Sequence, residues 1–509
     1  MKPQFDYPIH ISHFSFLICC LMSTMMAHAQ EWKSTPLHRE ITYPQPMTGL
    51  VLWADDAEEL HATYGNSIQL EFAYCLPCKV VTGCETDGTI NYDWSSFDQL
   101  LSEVTGRGHQ LIARFRYEYP SSKDVDGQRG TTAVPAYIKE RGDYHETYAA
   151  NPGGDGPTYY ADWSNEELQR FTLQFYTDFC KRYAHDERLA FLEVGFGHWA
   201  EYHIYGTKLQ LGVNFPSKEF QKTFFKHISK VSDGLPWLVS IDASDDEYSP
   251  VVGDDELMTL TFGLFDDSFM HKDHEIGSSD GYNEESWNAI GKGTRWQTGV
   301  CGGEISYYSD SDQKNFLNPA GMYGHTWEEQ AAKYHITFMI ANDAPGSPYG
   351  TAERFREASK ATGYKLVVKA CETDGNHQTR LLVANEGVAP FYRHASFTMM
   401  GIGYTYVSGK DLCGLLPGEE VWVTIPSKPR MPDGSDIFIF SENILPPYEI
   451  AFQADIDYDT GISQQTVVDD APVYYNLAGQ RIQRPTRGIN ILRGRNTRLF
   501  YGKNLVITE

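Results

Sequence analysis

Phe191-Leu192-Glu193-Val194-Gly195-Phe196-Gly197-His198-Trp199-Ala200-Glu201-Tyr202-His203 decides how this chain is read. The apolar run over 190–196 predicts a buried strand, and the glycines that follow predict a tight loop carrying aromatic side chains and Glu201. Gly299-Val300-Cys301-Gly302-Gly303-Glu304-Ile305 repeats the arrangement about a hundred residues further on. In a barrel of parallel strands, the C-terminal strand ends share one face. Two carboxyl groups placed there can flank a single bond, which is what hydrolysis of a sugar linkage needs.

Outward from these two stretches, the alternation continues. Strand-like runs fall at 49–53, 67–73, 110–116, 190–196, 237–241, 261–265, 298–302 and 335–340. Amphipathic stretches at 55–64, 94–105, 165–183, 217–231, 327–333 and 351–361 predict helices between and after them, Ser164 serving as a cap. A loop rich in Gly, Pro and Tyr covers 119–163. Eight strand–helix repeats predict an α/β fold, a (β/α)8 TIM barrel over 30–363. Beyond Gly363, short runs at 364–370, 380–384, 395–400, 420–425 and 436–440 are separated by Asp374-Gly375, Pro417-Gly418 and Asp433-Gly434. They predict an all-β sandwich over 364–453. Residues 454–509 read as a linker and a short, basic C-terminal β tail.

Composition narrows the function classes. A formal charge of −26 over 509 residues disfavours nucleic acid and anionic membranes as partners. It suits an exported protein acting on a neutral ligand. The apolar stretch over 14–26, followed by Ala27-His28-Ala29, reads as a signal peptide over 1–29. No later segment reaches the ~18 apolar residues of a membrane span. Seven cysteines remain after cleavage. Cys75 and Cys78 have metal-like spacing, but no second ligand pair follows, and a disulfide among Cys75, Cys78 and Cys84 is favoured over zinc. No P-loop, dinucleotide fingerprint or Ser-His-Asp elbow is found, and no cofactor or metal is expected.

Three resemblances bear on these expectations. Tyr475-Asn476-Leu477-Ala478-Gly479-Gln480-Arg481 and Pro485-Thr486-Arg487-Gly488-Ile489 resemble the C-terminal sorting segment of proteins exported by the type IX secretion pathway. That resemblance implies the outer-membrane export machinery as a partner and a secreted or surface-attached product. A small β-hairpin module is the plainer reading. Arg114-Phe115-Arg116-Tyr117, the run from Gly197 to His203 and Gly302-Gly303-Glu304 resemble an uncharacterised family of secreted proteins in which a glycosidase-like barrel precedes a β-sandwich. The chain is also distantly similar to the retaining glycosidase clan, which implies an acid/base Glu after strand four and a nucleophile Glu after strand seven. Glu201 and Glu304 stand in those places. The clan carries Asn-Glu at the first of them, where this chain has Ala200-Glu201.

The expected activity is therefore hydrolysis of a poly- or oligosaccharide, with Glu201 as acid/base and Glu304 as nucleophile. A non-catalytic glycan-binding protein on a degenerate barrel is the alternative, and the missing Asn favours it. Trp199 and Tyr202 beside Glu201 predict poorly hydrated surroundings, which raise a carboxyl's pKa. Arg116 is expected to hold a neighbouring Glu ionised. Glu193 rivals Glu201, although a paired structural role suits a Glu inside a strand. Glu118 and Asp242 sit at strand ends and are candidate substrate contacts, as are His203 and His325. Trp199, Trp327 and Tyr307 are candidate stacking platforms, with core packing as the competing role.

Overall fold

Eight parallel strands close into a barrel in a computed structural model that describes residues 31–458 and, beyond them, the backbone of 473–476, 481–482, 489–493, 498–501 and 504–505. Within 31–458, 120–123, 126–127, 130–131, 151–156, 342–347, 402–403, 432–433 and 447 are left out. The strands are β1 (Gly49–Trp53), β2 (Leu70–Cys75), β3 (Gln110–Phe115), β4 (Leu189–Glu193), β5 (Trp237–Ser240), β6 (Gly263–Phe269), β7 (Cys301–Ile305) and β8 (Phe338–Ile340). Each pairs with the next, and Ile340 opposite Val51 closes the ring. The expected signal peptide lies outside the described residues.

The six expected helices form within three residues of their expected ends, and a further one, Tyr282–Gly291 between β6 and β7, carries no such expectation. Glu166–Tyr183 buries Phe171, Phe175 and Phe179 against the barrel wall. Each such ring contributes about 1.5–3 kcal/mol on burial. Its cap is Asn165 rather than Ser164: the Asn165 side chain accepts the Leu168 N–H at 3.1 Å, while the Ser164 hydroxyl donates to Asp162.

Val51, Phe72, Ile112, Phe265 and Phe338 belong to one apolar cluster that runs from the barrel strands into the C-terminal sheets. Gly302 and Gly303 serve this packing. A methyl group at Gly302 would overlap the Phe338 ring, and one at Gly303 (φ +143°) would overlap the Asp266 carbonyl oxygen. The close approach these glycines permit is therefore the chain's own.

Beyond the barrel, β9 (Leu366–Thr373), β10 (Thr379–Asn385), β13 (Glu420–Ile425) and β15 (Phe452–Ile456) form one sheet. Strands β11 (Ser396–Gly401), β12 (Tyr404–Val407) and β14 (Ile437–Phe440) form a second. The Phe397 and Phe452 rings meet 5.3 Å apart between them, so the pair is a sandwich. Lys33–Ser34 and Leu37–Arg39, at the start of the described chain, pair with β9 and β15 and complete the first sheet.

The sandwich packs on the face where barrel strands begin. Arg393 donates to the Ala184 carbonyl ahead of β4 at 3.1 Å and to the Gly234 carbonyl ahead of β5. The Tyr392 hydroxyl donates to Trp296 O at 2.6 Å, ahead of β7, and Gln110 Nε2 donates to Asn443 O at 2.8 Å. The opposite face, where the strands end, is left to the long loops.

The expected disulfide is not formed. Cys75 and Cys84 both stand as thiols, and burial pushes Cys75 up to about 12. A separate unit from Asp459 contains an antiparallel sheet of Arg481–Ile482, Val473–Asn476, Ile489–Arg493, Arg498–Tyr501 and Asn504–Leu505, in that order. Of the sorting-like motifs, 477–480 and 485–488 lie outside the described residues.

Candidate active site

β4 ends at Glu193, and the loop after it folds back over the strand's end. A methyl at Gly195 would overlap the Ala200 carbonyl oxygen, so only glycine permits the fold-back. Trp199 (φ +55°), Ala200 (φ +65°) and Tyr202 (φ +66°) are all left-handed. Three non-glycine residues in that region store strain, which tertiary contacts must offset. Backbone bonds from His198 N to His203 O (2.9 Å), Glu201 N to His198 O (2.9 Å) and Tyr202 N to Phe196 O (2.8 Å) lock the loop. The result brings Glu201 to Arg114 and Tyr74 at the barrel mouth.

Arg114 is the cation of this mouth, and the residue types in β3 alone did not single it out. It is fully buried, and its guanidinium rests on aromatic rings, with Cζ 4.1 Å from the Phe265 centroid and 5.0 Å from that of Phe72. Nη1 donates to Glu201 Oε1 at 2.5 Å and pairs with Asp267 Oδ2 at 2.7 Å. Nε donates to Glu193 Oε2 at 2.6 Å. Three carboxyl groups thus converge on one guanidinium. The sequence signal was Arg114 set between the apolar Leu111-Ile112-Ala113 and Phe115, since a charge so placed needs buried partners.

Glu201 is held well above the usual carboxylate range by burial first, then by the nearby Asp267. Arg114 opposes the shift, while a hydrogen bond with Asp267 and the charge of Glu304 add to it. Glu193 is pushed up to about 7 by burial, against the pull of Arg114. Strand alternation separates the two acidic neighbours of β6. Asp266 accepts from Asn283 Nδ2 at 2.7 Å and bonds His274 at 2.8 Å, while Asp267 meets Arg114.

Glu304 lies within β7, because that strand runs three residues later than apolarity alone predicts. It is 5% exposed, and the Tyr307 hydroxyl donates to its Oε1 at 2.9 Å. Its charge and that of Glu201 both act on the Tyr74 and Tyr119 hydroxyls, so the two carboxyl groups share one mouth. His203 joins them, with Nε2 3.2 Å from Asp242 Oδ2 and 3.9 Å from Glu201 Oε2. Trp199 is half-buried and meets Tyr119 and His203 edge to face. Tyr307, 53% exposed, forms part of the open rim.

Other expected site residues are placed elsewhere. Arg116 makes no ion pair with Glu201 or Glu304 among the described residues: its guanidinium stacks 4.3 Å from the Tyr119 centroid, and burial lowers its pKa. The paired cation is two residues earlier, on the same face of β3. Glu118 is committed to the loop, its Oε1 accepting the Ala161 N–H at 3.1 Å, and burial pushes it up to about 8. His325 pairs with Glu275 at 3.0 Å. Trp327 is a core residue rather than a platform: it is fully buried, its Nε1 donates to Ala358 O at 2.9 Å, and Phe269 and Phe316 pack on it.

No protein-family model and no curated protein matches the chain. Solved structures similar to it include the catalytic domain of β-amylase from Paenibacillus polymyxa, at 12% identity and a TM-score of 0.37, over 62% of this chain and 99% of that one. Endo-glycoceramidase II from Rhodococcus sp. is similar at 10% identity and a TM-score of 0.39, over 77% and 99%. A further glycoside hydrolase is similar at 10% identity and a TM-score of 0.32, over 62% and 98%.

Proposed function

We propose that the barrel hydrolyses a glycosidic bond of an oligo- or polysaccharide by a retaining mechanism, with Glu201 as acid/base and Glu304 as nucleophile. One observation carries this reading: two carboxyl groups stand at one barrel mouth, Glu201 against the Arg114 cluster and Glu304 against the Tyr307 hydroxyl. Glu201 is buried beside Asp267 and within the field of Glu304, which favours its protonated form. Glu304 accepts a hydrogen bond from the Tyr307 hydroxyl, which aims its carboxyl group at the same mouth.

In this mechanism Glu201 gives its proton to the leaving oxygen while Glu304 bonds to the sugar's anomeric carbon. Glu201 then takes a proton from the water that displaces Glu304. Tyr307 and Trp199 offer ring faces at the rim for the sugar. The direct Arg114–Glu201 pair and the Ala200 that precedes Glu201 favour the second reading, a glycan-binding protein without turnover. We also read the chain as exported, its tail addressing the outer-membrane machinery.

A glycan panel assayed with the wild type, Glu201→Gln and Glu304→Gln tests the site. Product release by the wild type, lost in both variants, is the expected result. Binding by all three without release establishes the second reading, and neither binding nor release ends both. Fractionating cells that express the chain with and without residues 471–509 tests export.

A further inference from the structure

The groups around Glu201 come from many sides of the mouth. Arg114 stands on β3, Glu193 on β4, Asp267 on β6, Glu304 on β7 and Tyr74 on β2, its hydroxyl 3.4 Å from Glu201 Oε1. Tyr119 and Tyr205 lie within its field. His203 is turned more closely to Asp242 than to Glu201. Among the described residues, the ion pairs of Glu201 run to Arg114 and His203.

Arg114 divides its three partners unequally. Glu193 takes the Nε–Nη2 edge, whereas Glu201 and Asp267 meet at the single nitrogen Nη1, at 2.5 and 2.7 Å. One buried guanidinium cannot neutralise three buried carboxylates, so the folded state retains a proton among them. Glu193 Oε1 and Asp267 Oδ1 are buried without a hydrogen-bond partner among the described residues, an environment costly for full ionisation.

We propose that Asp267 is a positioning residue: its carboxyl group, held beside that of Glu201 at Arg114 Nη1, keeps Glu201 protonated when no ligand is bound. The inference rests on Glu201 as the acid of the reaction proposed above. It adds a second carboxyl that never touches substrate but sets the state of the one that does. Arg114 holds the two side by side.

Carboxyl-region NMR of protein labelled with 13C-glutamate provides a readout that needs no turnover. The Glu201 signal is assigned by its loss in Glu201→Gln. In the wild type Glu201 is expected to be protonated at pH 6; in Asp267→Asn its titration should move down by about one pH unit or more. Asp267→Glu should restore most of the difference. If turnover is found, the basic limb of its pH profile should move with the NMR midpoint. Glu201 ionised at pH 6 in the wild type overturns the proposal without any variant, which covers an Asp267→Asn protein that fails to fold. An unmoved midpoint in folded Asp267→Asn overturns it as well. A protein that turns over no glycan but shows the expected NMR shift loses the hydrolase reading and keeps the role of Asp267.

Discussion

Replacing Arg114 by methionine removes the one guanidinium that Glu193, Glu201 and Asp267 share. The methionine stem keeps much of the contact with the Phe72 and Phe265 rings, so the loss is chiefly electrostatic. Stripping the partner from a buried charge costs about 3–5 kcal/mol. The folded variant has a cheaper course, which is to bind an extra proton. Protonating a carboxyl whose unfolded value lies near 4.3 costs about 3.7 kcal/mol at pH 7 and about 1 kcal/mol at pH 5. The destabilisation should therefore be about 3–4 kcal/mol near pH 7 and fall towards about 1 kcal/mol near pH 5. The sign follows from proton counts. The folded variant binds more protons than the unfolded chain, so its stability drops as pH rises. Glu193 has the same sign in the wild type, where its folded value is raised to about 7, so the quantity to compare is the difference between the two proteins. Urea unfolding followed by tryptophan fluorescence at both pH values measures it. An equal loss at the two pH values, or a loss below about 1 kcal/mol near pH 7, would refute the idea that the ionised carboxyl groups of this cluster depend on Arg114.

Glu118, pushed up to about 8 by burial, favours the folded state fully below its unfolded value and loses that contribution as pH rises through about 8. Wild-type stability should fall by on the order of 4 kcal/mol between pH 5 and 9 from this group, and Glu118→Gln should flatten that slope in a series of urea midpoints. Trp327→Ala should cost about 3–5 kcal/mol by emptying a core site. Its glycan affinity at a temperature where it stays folded should equal that of the wild type; a selective loss of affinity would return Trp327 to the binding surface. Tyr307→Phe removes the hydroxyl that donates to Glu304 while keeping the ring. It should lower kcat about tenfold or more with KM little changed, whereas a rise in KM alone would make Tyr307 a binding residue only.

How much was legible in the sequence differs between the fold and the site. Apolar runs and helical periodicity located all eight barrel strands, because burial on both faces leaves a near-continuous apolar signature. Their ends differ from the expected ones by up to four residues, and this matters at β7: the expected run ends at Gly302, but pairing continues through Ile305 because Gly302 and Gly303 fit against Phe338 and Asp266. Glu304 thus stands in a strand rather than after one. The N-terminal strands Lys33–Ser34 and Leu37–Arg39 carry no signal of their partners, which lie more than three hundred residues away. The residue types around Glu201 foretold its poorly hydrated surroundings, yet they pointed to Arg116 as the cation. Arg114 and Arg116 have the same parity on β3, so alternation alone could not choose between them; depth in the barrel did, placing Arg114 on the inner rings and Arg116 beneath Tyr119.

The sequence by itself determined the alternation of strands and helices, the β-rich texture after Gly363 and the two glutamates worth watching. These are properties of local pattern, since periodicity of burial is written along the chain. Tertiary structure alone decided that β3, β4 and β6 bring Arg114, Glu193 and Asp267 to the mouth where the loop after β4 delivers Glu201. It also decided that Trp327 belongs to the core and that the sandwich packs on the face where the strands begin. Closing a barrel brings together residues far apart in sequence, and the charge state of a buried carboxyl depends on which of them arrive.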